Sequence, residues 1–126
     1  MAFKLKQSTS YKWPVSLVIP VDGGKRETHT FDACFKRLPQ SRIDEIRQLA
    51  IAIERGRADE EEANERQMVS EILVGWDGVV DDDGEAVVFS VAGLAEMLEI
   101  PTVANQILRE FFNSLQSEKK PGKRGN

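Results

Sequence analysis

The sequence predicts an α+β fold: an N-terminal β-hairpin, forming a small antiparallel sheet, packed with about four α-helices. Three observations carry this. Residues 11–21 alternate apolar and polar side chains, the period of a strand with one buried face. Asp22-Gly23-Gly24-Lys25 is a hairpin turn signal, and the alternation resumes after it. From Pro39 onward apolar residues recur three and four apart in segments punctuated by Gly and Pro, which is the spacing of amphipathic helices.

In the first strand Tyr11, Trp13, Val15, Leu17, Ile19 and Val21 share one face. Pro14 and Pro20 have the same parity on the other, so their missing N–H groups lie on one side, and that side is expected to be a free edge. Two prolines there also discourage pairing with a stray strand. The second strand offers His29, Phe31, Ala33 and Phe35 on one face, with Arg26, Thr28, Thr30 and Asp32 on the other. A two-residue loop would set Leu17 opposite Thr30 and turn the wrong face inward. A three-residue loop of Gly23, Gly24 and Lys25 sets Leu17 opposite Phe31 and Val15 opposite Ala33, and is the expected connection. Phe3 and Leu5 give a weaker signal for one more short strand.

The first helix is expected to start at Ser41 as N-cap, with Asp44 in its first turn and an apolar stripe of Ile43, Ile46, Leu49, Ala50 and Ile53. Gly56 is its expected stop. Residues 54–66 hold hardly any apolar side chain, and Asp59-Glu60-Glu61-Glu62 reads either as the solvated first turn of a second helix or as a mobile loop. Met68, Val69, Ile72 and Leu73 supply that helix's buried end. Val87-Val88-Phe89 suggests a short strand. Ser90 then caps a third helix, with Phe89 and Leu94 at hydrophobic-staple spacing and Leu94, Met97 and Leu98 inward. Ile100-Pro101-Thr102 interrupts it. A last helix follows, with Val103, Ile107, Phe111 and Leu115 in one row beside Ala104, Leu108 and Phe112. Phe111 and Phe112 are adjacent and cannot both face one core stripe, so one is either covered by a neighbouring element or open to a partner. The expected organisation is a single domain over residues 1–117 and a basic, disordered tail over 118–126.

Composition bounds the function. With 126 residues, 40% of them apolar, the chain can bury a real core. A net charge of -4 does not suit a dedicated nucleic-acid binder. The single cysteine, Cys34, permits no intrachain disulfide and suits a reducing cytoplasm; neither a signal peptide nor a membrane span is expected. If Gly84 were the sixth residue of a calcium loop, its first and twelfth positions would fall on Val79 and Ser90, which are poor ligands there. Gly23-Gly24-Lys25 and Gly122-Lys123-Arg124 lack the spaced glycine and the Ser or Thr of a phosphate loop. His29 has no nucleophile motif to serve, Cys34 has no second cysteine nearby, and Asp44 and Glu45 point different ways on a helix. No catalytic, cofactor-binding or metal-binding residue is assigned, and neither a nucleic acid nor a membrane is expected as partner. The partner-binding residues are left open.

The connector from Val74 to Ser90 holds a tryptophan, Gly75, Gly78, Gly84 and an aspartate run. It reads as a joint: Trp76 and Phe89 buried from either end, and Asp81, Asp82 and Asp83 in a solvated turn with Gly84 at positive φ.

Trp76-Asp77-Gly78-Val79, the acidic turn ending in Gly84, Val88-Phe89-Ser90, Leu94-x-x-Met97-Leu98, Pro101-x-Val103 and the helix carrying Ile107 and Phe111 together resemble the tail assembly chaperones of long-tailed, lambda-like bacteriophages. The polar start, the hairpin and Phe35-Lys36 leading into a helix agree with that resemblance. It implies a non-enzymatic protein of the host cytoplasm, absent from the finished virion, that keeps the tape measure protein soluble until tail-tube subunits polymerise around it. It further implies self-association, contact with the tail-tube protein, and a longer form made by ribosomal frameshifting. Pro121-Gly122-Lys123, encodable as CCG GGA AAG, offers the slippery run for such a frameshift. The alternative is a small structural tail protein of terminator or connector type, or an adaptor.

Overall fold

The computed structural model describes residues 1–56 and 64–116. In it β1 (Ser10–Val21) and β2 (Lys25–Lys36) form one long antiparallel hairpin, and β3 (Leu73–Asp77) adds to the far side of β2, giving the order β1-β2-β3. The helices are α1 (Gln40–Glu54), α2 (Glu65–Ile72), α3 (Val91–Leu98) and α4 (Val103–Ser114). The α+β reading therefore holds, with four helices and a three-stranded antiparallel sheet.

The alternation in β1 and β2 selects the buried face as expected: Val15, Leu17, Phe31, Ala33 and Phe35 lie in the core. The register differs from expectation. The loop is Asp22–Gly24, so Val15 pairs with Phe31 and Leu17 with His29. Gly23 and Gly24 both sit at positive φ, so the turn encloses both glycines and returns Lys25 to the ladder opposite Val21. The shift amounts to two places, which keeps every side chain on its predicted face.

β1 is an edge strand, as Pro14 and Pro20 require. Between them the outward backbone of Val18 is occupied from α4: its N–H donates to Gln106 Oε1 at 2.8 Å, and its carbonyl accepts from Gln106 Nε2 at 3.0 Å. Gln106 is steadied by the Thr102 hydroxyl at 3.0 Å.

Several expected boundaries move. Leu73 leaves the helix and opens β3, because its backbone pairs with Phe35 while its side chain stays buried. Gly75 pairs with Cys34 and Leu73 with Phe35, so Val74 is the extra residue of a bulge. Val87, Val88 and Phe89 form no strand; the pairing nearby is a bridge between Val80 and Ala86. Phe3 and Leu5 form none either and are exposed. Ser41 lies inside α1, whose N-cap is Pro39; the Pro39 carbonyl accepts from Ile43, and no side chain caps that end. Leu115 lies one residue past α4 and is exposed. The acidic run at 59–62 and the basic tail with Pro121, Gly122 and Lys123 fall outside the described residues.

Other signals match. Gly56 follows α1 at φ 68°. The Ser90 hydroxyl accepts from the Gly93 N–H at 2.9 Å and caps α3. Asn64 caps α2 in the same way, accepting from Arg66. After Pro101, Thr102 takes a left-handed conformation, φ 70°, before α4 begins.

The core lies between one sheet face and the helices. Phe35 meets Phe111 edge-on at 5.3 Å between ring centres, and Ile46, Ile72, Val103 and Ile107 are fully buried around them. The opposite sheet face is polar. There Lys12 reaches across to Asp77 at 2.8 Å, which raises the Lys12 amine above its ordinary pKa, and Ser16 bonds Thr30 at 2.9 Å.

Candidate binding surface

The connector after β3 is a joint. Trp76 is 9% exposed, its Nε1–H donates to the Val87 carbonyl at 2.8 Å, and its ring meets Phe89 edge-on at 4.9 Å and Phe31 at 6.4 Å. The chain between Val79 and Val87 folds back on itself: Val87 N–H donates to Val79 O at 2.8 Å and Asp81 N–H to Glu85 O at 2.9 Å. Asp81 Oδ1 closes the turn by accepting from the N–H groups of Asp83 and Glu85 at 2.9 and 3.0 Å, and Gly84 takes the positive φ of 79° expected of it. Gly78, at φ 90°, lets the chain pass close to Phe31. The three aspartates are exposed, and no group of three or more His, Cys, Asp or Glu placed to hold a metal ion occurs among the described residues.

His29, Cys34, Asp44 and Glu45 are not brought together. The His29 side chain is 61% exposed and lies 3.2 Å from Glu27; beside it Leu17, Phe31, Val79 and Met97 line a shallow, mainly apolar hollow. Cys34 is half-buried on the polar sheet face, its Sγ donating to Ser10 Oγ at 3.3 Å. Asp44 accepts from Gln40 on its own helix, and Glu45 pairs with Arg42.

What the helices do form is a groove. Arg42 holds α1 against α2 through Glu71, with Nη2–Oε1 at 2.8 Å and Nε–Oε2 at 3.0 Å. The hydrogen bond from Arg42 pulls the Glu71 carboxyl below its usual pKa. Only Ile43 and Ile46 of α1 are buried, whereas Leu49, Ala50, Ile51, Ala52 and Ile53 are all half-exposed. A helix with five consecutive apolar residues has more apolar surface than one stripe can cover. The surplus faces α4. Ala50, Ile51 and Ile53 on one side and Leu108 and Phe112 on the other line an open groove of about 560 Å³. Both charge signs rim it, with Arg47 and Arg109 set among Glu54 and Glu65. A second hollow beside Leu98, Ile100 and Ala104 shares Ile53, Glu65 and Asn105 with it, so the depression runs on along α4.

The adjacent phenylalanines are thereby separated in role. Phe111 is fully buried against Phe35, while Phe112 is half-buried, lines the groove and carries the Arg47 guanidinium 4.9 Å above its ring. Ile51, Ile53, Leu108 and Phe112 all line this groove. The unbroken apolar run from Leu49 to Ile53 is the sequence signal for the α1 side of the groove.

Among the described residues no helix is long and apolar enough to cross a membrane. Comparison of the chain with protein-family models, with curated proteins and with solved structures returned no match.

Proposed function

We propose that this chain is a tail assembly chaperone of a long-tailed bacteriophage or prophage, a non-enzymatic protein that holds the tape measure protein soluble in the host cytoplasm during tail morphogenesis. The observation that carries the reading is the open groove between α1 and α4, with an apolar floor and rims of both signs. Such a groove suits an amphipathic helical segment, whose apolar residues at i, i+3, i+4 and i+7 seat on the floor while its charges meet the rims. A passive holder requires no more chemistry than this, and weak sites repeated along one long client gain strength through effective concentration. The resemblance of residues 76–111 to these chaperones supports the same reading. Its residues Trp76, Leu94, Leu98, Val103, Ile107 and Phe111 are all core residues here.

Co-expression with a phage tape measure protein tests the proposal. The chain is expected to raise that protein's soluble fraction and to co-purify with it. Phe112→Glu is expected to abolish both effects while the variant stays folded. A wild-type chain that neither binds nor solubilises the tape measure protein refutes the reading.

A further inference from the structure

The charges that line the groove between α1 and α4 are ordered along its length. Arg47 stands over Phe112, whereas Ile53 shares the adjoining hollow with Ala104 and Asn105, so the two helices run antiparallel along the groove. On the α1 wall Arg47, Ala50, Ile51 and Glu54 fall at i, i+3, i+4 and i+7. That spacing puts all four on one face, with the two charges two turns, about 10 Å, apart. On the facing wall Arg109 Nη2 donates to Asn105 Oδ1 at 2.8 Å, and Asn105 Nδ2 donates to Glu65 Oε2 at 2.9 Å. A guanidinium only donates and a carboxylate only accepts, so the amide between them can face only one way. It holds Arg109 toward the Phe112 end and Glu65 toward the Ile53 end.

Both walls therefore run from positive to negative in the same sense. None of Arg47, Glu54, Glu65 and Arg109 forms an ion pair with another described residue, and Arg66, in the adjoining hollow, is already paired with Glu99 at 2.8 Å. Two walls polarised alike fix the direction of a charged segment laid between them. One way round its charges meet opposite signs, and the other way round they meet like signs, which costs about as much as the match gains.

We infer that the groove selects a helical segment bearing an acidic and a basic side chain seven residues apart, with apolar residues between them, and holds it in one direction. The acidic side chain sits between Arg47 and Arg109, the basic one between Glu54 and Glu65, and the apolar pair on the floor beside Ile51 and Leu108. A segment whose acid precedes its base then lies parallel to α1; one with the reverse order lies antiparallel to it. The inference rests on the reading of the groove as a helix-binding site, and adds which segments it takes and which way round.

Three synthetic helical peptides, each with a nitroxide at its N-terminus, test this by NMR titration of the full chain. The first has the core Glu-Ala-Ala-Leu-Leu-Ala-Ala-Lys, the second exchanges its Glu and Lys, and the third has Gln at both places. The first is expected to broaden the amides of Phe112 and Gln116 more than those of Ile53 and Asn105, and the second to reverse that pattern. The Gln peptide is expected to bind about fivefold more weakly at low salt and to broaden both ends alike, with the affinity difference shrinking at high salt. Arg47→Glu combined with Glu54→Arg sets the two walls against each other and should abolish the first peptide's preference; both positions are exposed, so the core is untouched. Equal affinities for charged and Gln peptides, or a pattern that does not reverse between the two charged peptides, overturns the inference and leaves the helix-binding groove standing. Failure of all three peptides to bind overturns both.

Discussion

Trp76→Ala is the most informative single change. The indole is nearly buried; it packs edge-on against Phe89 and Phe31, lies close to Gly93, and donates to the Val87 carbonyl. Truncation leaves a cavity walled by these groups and deprives the Val87 carbonyl of its donor. Losses for aromatic-to-alanine changes in cores run at about 3–5 kcal/mol, and this site belongs in that range because its walls come from β2, the connector and α3 and cannot collapse together. Trp76→Phe separates the two contributions: it keeps much of the apolar ring and loses the N–H, at an expected cost of about 1–2 kcal/mol. Urea unfolding followed by far-ultraviolet circular dichroism measures both, and an unchanged dependence on urea concentration would assign the differences to the folded state. A domain of this size has a total stability of about 5–15 kcal/mol, so the alanine variant should unfold at a clearly lower urea concentration. A loss below about 1 kcal/mol for Trp76→Ala would refute the joint and return the connector to the candidates for partner binding.

Further outcomes are expected elsewhere. Asp81→Asn retains the oxygen that accepts from Asp83 and Glu85 and should change stability by less than about 0.5 kcal/mol, whereas Asp81→Ala loses both bonds and should cost about 1 kcal/mol in the same urea assay. Glu71 titrates low when folded because Arg42 donates to it, so its contribution is fully present above the carboxylate's unfolded pKa and fades as pH falls through the folded value. Glu71→Gln should therefore cost about 1 kcal/mol at neutral pH and nothing in strong acid, read as converging unfolding curves. Gln106→Ala uncovers the backbone of Val18 and should lower stability by about 1 kcal/mol in thermal unfolding; Gln106→Glu, which keeps an acceptor for the Val18 N–H but loses the donor to its carbonyl, should fall between it and wild type.

The sequence disclosed faces better than partners. Alternation in β1 and β2 fixes which side chains turn inward, but a two-place slip preserves that pattern, so only the two positive-φ glycines distinguish the observed register from the expected one. β3 was missed for a related reason. Leu73 completes the helical spacing of Met68, Val69 and Ile72, and the bulge at Val74 breaks the period-two pattern that would have announced a strand. Ser90 and Gly56 were readable because each acts through its own backbone or a neighbour three residues away. The helix starts ahead of Ser41 because the carbonyl of Pro39, two residues earlier, already begins it. The groove was half legible. Its apolar surplus stands in the run from Leu49 to Ile53, but that α4 would set Phe112 opposite that run depends on the tertiary packing of Phe111.

The uneven seating of α1 has a consequence in the time domain. Its first half is fastened by Ile43, Ile46 and the Arg42–Glu71 pair, while its second half, from Leu49 to Glu54, has few buried contacts of its own. Local opening of that half costs less than global unfolding, so its amide protons should exchange with solvent well before those of β2 or α4. A ligand filling the groove completes the missing packing and binds only the closed helix. Its affinity is then reduced by the fraction of time the helix is open, and binding should slow exchange from Leu49 to Glu54 more than anywhere else.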